Sequence, residues 1–352
     1  MVRSRHKGKM IAAMLLAALC TSASSAAADQ AANGKAGAGL KTGNPEDHLP
    51  ANITRLSWFG ERASWSPDGR KVAFMSKSFG DAFEIDVRTG ELRVLTPYPH
   101  AGYLRAQYLP NGDLFLIGAR KFENPIKTRF EDQEMWVLRK DGKSKPIPLD
   151  HKIFEGVAIS RQSMKIAWAN SARNYPGQIA PNVSIVYVAD IIEENGVPKL
   201  ANKREVLRSN SADCGLEVQD FRNNDQELIY SCYRLPYADV MGVDLKSGKV
   251  TTYRKIPQEY NEAEGIFPDG RHILVESSRG KEKHSDKYID VWKLRLEPDG
   301  TDMVRLTHWG DYDGYKASNP VVSPDGKMIV FQSGRRDDLP GVGHGLFLLR
   351  LQ

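Results

Sequence analysis

The fold is decided by a stretch that reads ASWSPDGRKVAF at residues 63–74. Two more copies of its centre read FPDGRHILV at 267–275 and SPDGKMIVF at 323–331. Pro presets φ for the first corner of a turn, Asp bonds to nearby backbone N–H groups, and Gly accepts a positive φ. Each copy has apolar residues on both sides of the turn. The stretch therefore predicts a β-hairpin, and its recurrence predicts a repeat protein.

Three degenerate copies complete the set. They read YLPNGDLFLI at 108–117, ISRQSMKIAW at 159–168 and FRNNDQELIY at 221–230. The six turns stand at positions 67, 110, 161, 223, 268 and 324, so neighbouring turns are 43 to 62 residues apart. A single hairpin cannot bury its own apolar face, and units of about 50 residues stack radially as four-stranded blades. The sequence predicts an all-β, six-bladed propeller over residues 51–352.

The last unit ends after its third strand, at residues 346–351. An apolar segment at 53–58 precedes the first hairpin and has no other partner in the pattern. Pairing these two segments would complete the sixth blade and remove an exposed strand edge. We therefore expect an N-terminal strand to close the ring.

The Ser-Pro-Asp-Gly hairpin, followed by a strand that ends in Phe, resembles the repeat of TolB-like periplasmic β-propellers. The resemblance covers about residues 51–352 and does not include the additional α/β domain of TolB, for which residues 29–50 are too short. It implies a periplasmic propeller. Similar hairpins also occur in the propellers of prolyl-oligopeptidase-type proteases and of oligogalacturonate lyases.

The N-terminus has the pattern of a secretory signal peptide. Four basic residues precede an apolar run from Met10 to Leu19, and an Ala-x-Ala site ends at Ala28. We predict a signal peptide at 1–28, a flexible linker at 29–50, and a mature chain in the periplasm or outside the cell with no transmembrane segment. Lipidation at Cys20 is the alternative, although Leu19 departs from the small residue usual there.

Charge and cysteine content narrow the function further. The chain carries a formal charge of +5, and removing the four basic residues of the signal peptide leaves +1, which gives no support for nucleic-acid binding. Cleavage also removes Cys20 and leaves Cys214 and Cys232. An even pair in an oxidising compartment suggests a disulfide, but strand register does not place the two cysteines opposite each other, so two buried thiols remain the alternative.

Aligning the six turns reveals two rings of charge. Six positions before the turn, four of the six units carry glutamate: Glu61, Glu155, Glu217 and Glu262. Ten to twelve positions after the turn, all six units carry a base: Lys77, Lys121, Arg173, Arg234, Arg279 and Arg335. Both positions fall on one face of a propeller. We predict either a polar binding funnel at the channel mouth or one structural ion pair per blade. Gathered carboxylates would also respond to a divalent cation, although no cofactor is predicted outright.

Catalytic signals are few. The sequence contains no Gly-x-Ser-x-Gly elbow, no phosphate-binding loop and no nucleotide fingerprint. A metal site could be assembled from His100, His308 and His344 in separate loops, against the alternative that these are surface histidines. Two functions follow. The first is a monomeric binding or scaffold module for a protein, peptide or envelope component. The second is a carbohydrate-active lyase or hydrolase with its site at the channel mouth, acting on a glycan.

Overall fold

The computed structural model describes residues 39–281, 283–338 and 341–351. The predicted signal peptide, its cleavage site and Cys20 lie outside these residues, as do residues 29–38 of the predicted linker. Within the described part of that linker, a 3₁₀ helix spans Pro45–Asp47, and the Glu46 carboxylate accepts hydrogen bonds from Arg55 Nη2 (2.8 Å) and Ser333 Oγ (2.5 Å). The boundary between linker and propeller stays a prediction.

The described chain forms six four-stranded antiparallel sheets arranged as the blades of a propeller. Strand β1 (Ile53–Ser57) precedes them. The strands of blades 1 to 3, each from the centre outward, are β2 (Glu61–Trp65), β3 (Lys71–Met75), β4 (Ala82–Asp86) and β5 (Leu92–Val94); β6 (Tyr103–Tyr108), β7 (Leu114–Ala119), β8 (Gln133–Leu138) and β9 (Ile147–Lys152); β10 (Val157–Ile159), β11 (Lys165–Ser171), β12 (Ser184–Glu194) and β13 (Val197–Ser209).

Blades 4 to 6 follow the same order. Their strands are β14 (Gly215–Arg222), β15 (Glu227–Arg234), β16 (Tyr237–Asp244) and β17 (Val250–Arg254); β18 (Asn261–Ile266), β19 (His272–Ser277), β20 (Asp290–Arg295) and β21 (Met303–Arg305); β22 (Tyr315–Val322), β23 (Met328–Arg335) and β24 (Leu346–Arg350). A short helix, α1 (Pro125–Phe130), interrupts the connection from β7 to β8, and a second 3₁₀ helix spans Trp309–Asp311. The six-bladed prediction is confirmed.

Strand β1 closes the ring. It pairs antiparallel with β24, with Ile53 opposite Leu349 and Arg55 opposite Phe347, and so forms the outermost strand of blade 6. The predicted closure by the N-terminal strand is therefore confirmed. The strand ends one residue earlier than the predicted segment, and Trp58 beyond it is 81% exposed.

The hairpin turns have the chemistry that their sequence predicts. Ser66 Oγ donates to Asp68 Oδ1 (2.7 Å) and accepts from the backbone N–H of Lys71 (2.9 Å), while Gly69 has φ +69°. The Ser323 turn repeats the pattern, with a 2.6 Å bond to Asp325 Oδ1. One large apolar cluster then fills each of the six gaps between neighbouring blades. These clusters hold the innermost strands around a central channel.

Cys214 and Cys232 lie together in blade 4. Cys232 stands opposite Leu216 in the ladder of β14 and β15, two residues from Cys214. The sulfur atoms are bonded at 2.10 Å, with the Cα atoms 4.9 Å apart. The disulfide ties the loop before β14 to its neighbouring strand.

Candidate functional site

An upper cavity of about 590 Å³ opens on the face where the innermost strands begin. All four glutamates of the predicted ring line it, together with Ser318 at the equivalent position of blade 6: Glu61, Glu155, Glu217 and Glu262. The propeller geometry brings them together because each stands at or just before the start of an innermost strand. Their role in binding remains a prediction.

Backbone bulges let the innermost strands direct extra side chains into the channel. The ladder between β2 and β3 shifts register between Glu61 and Ser64, and Arg62 in this bulge has φ +53°. Left-handed backbone is rare for a residue with a side chain and is held in place by surrounding contacts. Here the backbone N–H of Arg62 donates to Gln332 Oε1 (2.8 Å) and its guanidinium donates to Glu61 Oε1 (2.8 Å). Glu61 and Arg62, which are consecutive residues of β2, therefore both line the cavity.

Arginines meet carboxylates across blades 1 to 3, which we call the cationic side. Arg62 binds Glu155 directly, and Arg129 Nε of helix α1 donates to Glu155 Oε2 (2.8 Å). Burial opposes ionisation of Glu155, but Arg129, Arg62 and Arg105 outweigh it and hold the pKa of Glu155 below its ordinary range. Glu155 is therefore an ionised carboxylate fixed by guanidinium groups.

Blade 5 forms the opposite wall, which we call the acidic side. Glu262 faces Glu276 directly in the ladder of β18 and β19, and Glu264 lies close enough that carboxylate oxygens of all three fall within 4.8 Å of one another. Tyr233 and Tyr260 each donate their hydroxyl to Glu262, and the backbone N–H of Asn319 donates to Glu276 (2.5 Å). Like charges directly opposite in a sheet repel, so this wall needs protons or a cation.

The pKa values of the acidic side follow from this packing. Burial, reinforced by the charge of Glu262, raises the pKa of Glu276 to about 8. Burial and the charges of Glu155 and Glu262 likewise raise the pKa of Glu217 to about 8. Burial also raises the pKa of Glu262, and that of Glu264 well above its ordinary value. At neutral pH Glu217 and Glu276 are therefore predominantly protonated and can donate hydrogen bonds.

Glu217 reaches this position because the neighbouring loop lacks a side chain. A Cβ atom on Gly156 would stand 2.5 Å from Glu217 Cγ. Contacts this short do not occur between real side chains, so Gly156 is required for the close approach of blades 3 and 4 at the cavity.

A second cavity, of about 680 Å³, occupies the opposite end of the channel. Gln107, Gln219 and Glu264 of the innermost strands line it, and buried amide atoms of both glutamines have no hydrogen-bond partner. Arg105 lines both cavities. It therefore marks the narrow region between them.

The predicted basic ring is distributed over separate contacts. Arg234 binds Asp239 through two bonds of 2.7 Å, Arg279 donates to the Thr301 carbonyl (3.1 Å), and Arg335 stacks on Tyr315 at 3.8 Å from the ring centre. Across the described ranges, none of the three forms an ion pair with a glutamate of the ring. Arg335 lines the upper cavity, whereas Arg234 and Arg279 do not. The ion pairs that fix Glu155 run between blades rather than within one blade.

Each predicted metal-site histidine has an aspartate neighbour of its own. His100 Nε2 lies 2.9 Å from Asp81, His308 Nδ1 lies 3.3 Å from Asp311, and His344 Nε2 lies 2.6 Å from Asp338. Of the three, only His344 lines the upper cavity. The part of the chain that the structure describes contains one cluster with metal-ligand spacing: Glu262, Glu264 and Glu276. These residues would supply oxygen ligands to a divalent cation, and such a cation stays a prediction.

The alignment of the six turns did not identify several residues that line one of the two cavities: Arg62, Arg105, Arg129, Tyr233, Tyr260, Glu264 and Glu276. The position of Arg105 could have been predicted from the sequence. It directly follows Leu104, one of the two residues that stand where the other four units carry glutamate. A bulge between Tyr103 and Arg105 shifts this strand. Allowing a one-residue offset in the alignment would have placed Arg105 in the ring. Arg129 gave no such signal, because it comes from helix α1.

Exposed apolar side chains lie on loops of the face on which the upper cavity opens. We call Trp58, Phe122, Ile126, Leu235 and Val342 the apolar rim; Trp58 (81%), Leu235 (77%) and Ile126 (66%) are the most exposed large apolar residues of the described chain. Leu235 and Val342 line the cavity directly. The loop of Trp58 binds the loop of Val342 through backbone bonds between Gly60 and Gly343 (3.0 Å) and between Gly345 and Gly60 (3.2 Å). Ile126 lies on α1, whose Arg129 enters the cavity.

Comparison with known proteins identifies the fold only. No family model and no curated protein matches the chain. Among solved structures, a protein from Agrobacterium tumefaciens named as TolB matches with 20% identity over 72% of this chain and 78% of that chain, at a TM-score of 0.53. TolB from Acinetobacter baumannii matches with 12% identity over 85% of this chain and 63% of that chain, at 0.51.

A gluconolactonase from Xanthomonas campestris is similar at the same level, with 12% identity over 85% of this chain and 89% of that chain, at a TM-score of 0.55. These TM-scores support a shared propeller fold, and they confirm the resemblance to TolB propellers that the hairpins predicted. No helix among the described residues has the length and apolar content needed to cross a membrane.

Proposed function

We propose that this protein is a binding module that takes a peptide segment of a protein or envelope component at the mouth of the upper cavity. The observation that carries the proposal is the apolar rim around a charged cavity. Large apolar groups gathered at one opening mark an interaction surface, because covering them removes apolar area from water. Scattered exposed apolar residues need no such explanation.

The rest of the surface provides the contrast. Other exposed apolar residues stand on the outer strands of different blades, such as Leu92 on β5, Val250 on β17 and Val304 on β21. The rim residues instead come from loops of blades 1, 2, 4 and 6 on the face that carries the upper cavity, and Leu235 and Val342 line that cavity. A peptide seated there would contact apolar groups at the rim and polar groups in the cavity, the arrangement usual for specific sites.

The signal-peptide pattern at residues 1–28 places this binding in the periplasm or outside the cell, as part of the proposal. The module would act as a monomer, because a single chain already completes the ring of blades. The near-neutral charge of the mature chain fits a protein or peptide partner better than nucleic acid.

Selection of short random peptides on the purified protein tests the proposal. Peptides that bind the wild type should lose binding to the double variant Trp58→Ser, Leu235→Ser. The matched control is Val304→Ser, which removes a similarly exposed apolar side chain from an outer strand. Equal binding by all three proteins, or failure to enrich any peptide, would contradict the proposal.

The carbohydrate-active alternative is favoured by one observation. Glu155 is ionised, whereas Glu217 has a pKa of about 8 and is protonated at neutral pH. Both carboxyl groups lie within 4 Å of the Arg105 guanidinium. Carboxyl groups with separated pKa values are the usual acid and base of glycoside cleavage. Release of reducing ends from an oligosaccharide mixture, abolished by Glu217→Gln, would support this alternative. It ranks second because both oxygens of Glu155 already bind arginines.

A further inference from the structure

Arg105 differs from every other base in the upper cavity. It extends from β6, the innermost strand of blade 2, and its side chain is 15% exposed at the junction of the two cavities. Its Nε atom is buried without a partner, and no hydrogen bond joins its guanidinium to any other described residue. A guanidinium has five N–H donors in a planar fork, and leaving buried donors unpaired is costly.

The neighbouring bases have partners for their terminal nitrogen atoms or lie in water, although the Nε atom of Arg62 is also buried without a partner. Arg62 is bound to Glu61 and Glu155, and Arg129 is bound to Glu155. Arg173 has no carboxylate partner, but it is exposed to water and stacks on Phe130 at 4.9 Å from the ring centre. Among these four, Arg105 alone combines a largely buried side chain with a guanidinium that forms no hydrogen bond to a described residue.

The two carboxyl groups closest to Arg105 do not balance it. Arg105 Nη2 stands 3.9 Å from Glu155 Oε1 and 3.8 Å from Glu217 Oε1, both beyond hydrogen-bond distance. Glu155 is already bound to Arg62 and Arg129. Glu217 is protonated at neutral pH, so it carries no charge to offset the guanidinium. The site therefore has an unmatched positive charge in a place largely closed to water.

The surrounding groups select the type of anion. One guanidinium matches one negative charge, and its fork suits the two oxygens of a carboxylate. Protonated Glu217, which lines the same cavity, can donate a hydrogen bond to such a group. A phosphate with nearly two charges would instead face Glu155 and Glu61 with only one unmatched arginine. A monovalent carboxylate is the better match.

We infer that Arg105 binds the carboxylate of the ligand that enters the upper cavity, either a free peptide C-terminus or an acidic side chain. The inference deepens the proposed peptide-binding function and rests on it for the identity of the ligand. The apolar rim would hold the body of the segment, and Arg105 would fix its charged group at the channel junction. Arg105 is thus a residue that determines specificity for an anionic group.

The inference is tested with N-acetyl-leucine as the probe and its neutral analogue N-acetyl-leucinamide as the control ligand. The measurement is the shift in melting temperature at mildly acidic pH, where Glu217 stays protonated. The acid should raise the melting temperature through linkage, and the amide should not. Arg105→Gln should weaken binding of the acid by at least about 30-fold, because it removes one partner of a buried charge pair.

Two further variants keep the test interpretable. Arg279→Gln removes a base outside the cavity and should respond to the acid as the wild type does. Arg105→Lys keeps the charge but loses the fork, and should bind with intermediate strength even if Arg105→Gln fails to fold. Equal shifts with acid and amide, no shift with the acid, or an unchanged response of Arg105→Gln would each overturn the inference.

Peptides from the selection separate the two sources of the carboxylate. If the C-terminus is bound, amidation should abolish binding to the wild type; if a side chain is bound, replacing Asp or Glu by its amide should do so. Peptides that tolerate both changes would overturn the inference while leaving the peptide-binding proposal intact. Loss of rim dependence, measured with Trp58→Ser and Leu235→Ser, would overturn the proposal instead.

Discussion

On the cationic side of the upper cavity, Glu155 is buried against the guanidinium groups of Arg62 and Arg129, whereas on the acidic side Glu262, Glu264 and Glu276 are buried against one another and two tyrosine hydroxyls. Both walls remove carboxyl groups from water, which strongly disfavours an unpaired charge. The cationic side compensates with opposite charge, and the acidic side compensates with protons. The two walls should therefore respond to pH in opposite directions.

The largest expected effect is a loss of stability as pH rises. Glu217 and Glu276 ordinarily ionise near 4.5 but have folded pKa values of about 8. The unfolded chain thus releases these protons first, and the free energy of unfolding falls by about 1.4 kcal/mol per pH unit for each group between their unfolded and folded pKa values. Urea unfolding across this range should show the fall, and Glu276→Gln should reduce its slope.

The cationic side should change the free energy of unfolding with pH in the opposite direction. The folded pKa of Glu155 is lowered, so its contribution is present above its ordinary pKa of 4.5 and is lost as pH falls through the lower folded value. A slope at neutral to alkaline pH that does not change in Glu276→Gln would show that protons do not hold the acidic side together.

Breaking the cationic side directly should be nearly as costly. Arg62→Met keeps the side-chain volume but leaves Glu61 without its arginine and Glu155 with one arginine fewer. Removing one partner of a buried pair costs about 3–5 kcal/mol. Arg70→Met is the control, because Arg70 forms an exposed pair with Asp68. Urea unfolding at neutral pH should separate the two variants, and equal losses would contradict the assignment of Arg62.

A smaller effect tests the hydroxyl groups of the acidic side. Tyr260→Phe removes one of the two hydroxyls that donate to Glu262. A hydrogen bond to a charged group contributes about 1.5–3 kcal/mol, so we expect a loss in that range above the pKa of Glu262 and a smaller loss below it. Tyr230→Phe is the matched control, because Tyr230 is a buried residue whose hydroxyl has no hydrogen-bond partner among the described residues. Thermal unfolding at two pH values would measure the difference.

The smallest effect is expected outside both walls. Among the described residues, the Arg279 guanidinium donates to the Thr301 carbonyl and lies over the ring of Trp292, at 5.6 Å from its centre. Such exposed contacts contribute below about 1 kcal/mol. Arg279→Gln should therefore unfold like the wild type at every pH. A large change in the free energy of unfolding would instead indicate that the predicted basic ring has a structural role.

The fold was predictable because its determinants are local. Pro67, Asp68 and Gly69 set the turn by their own backbone preferences, and the unpartnered segment at 53–58 required a partner strand. The glutamate ring was predictable for the same reason, since its members keep a constant offset from each turn.

The chemistry of the cavity depends on contacts that no local pattern contains. Arg62 of blade 1 meets Glu155 of blade 3, so only the closed ring brings the pair together. Glu276 has its altered pKa because β19 places it opposite Glu262 and away from water. The alignment of the six turns identified the four glutamates that point into the cavity, but the charge state of each depends on neighbours from other blades.

The closure of blade 6 also has a consequence for biosynthesis. Because β1 pairs with β24, the first strand of the propeller to be made cannot find its partner until the last one has emerged. During that interval both β1 and β23 present unpaired edges, which are prone to aggregation. A chain interrupted before residue 346 would keep those edges, so quality control could recognise incomplete molecules by them. The seam between β1 and β24 therefore forms only after the last strand of the propeller has emerged.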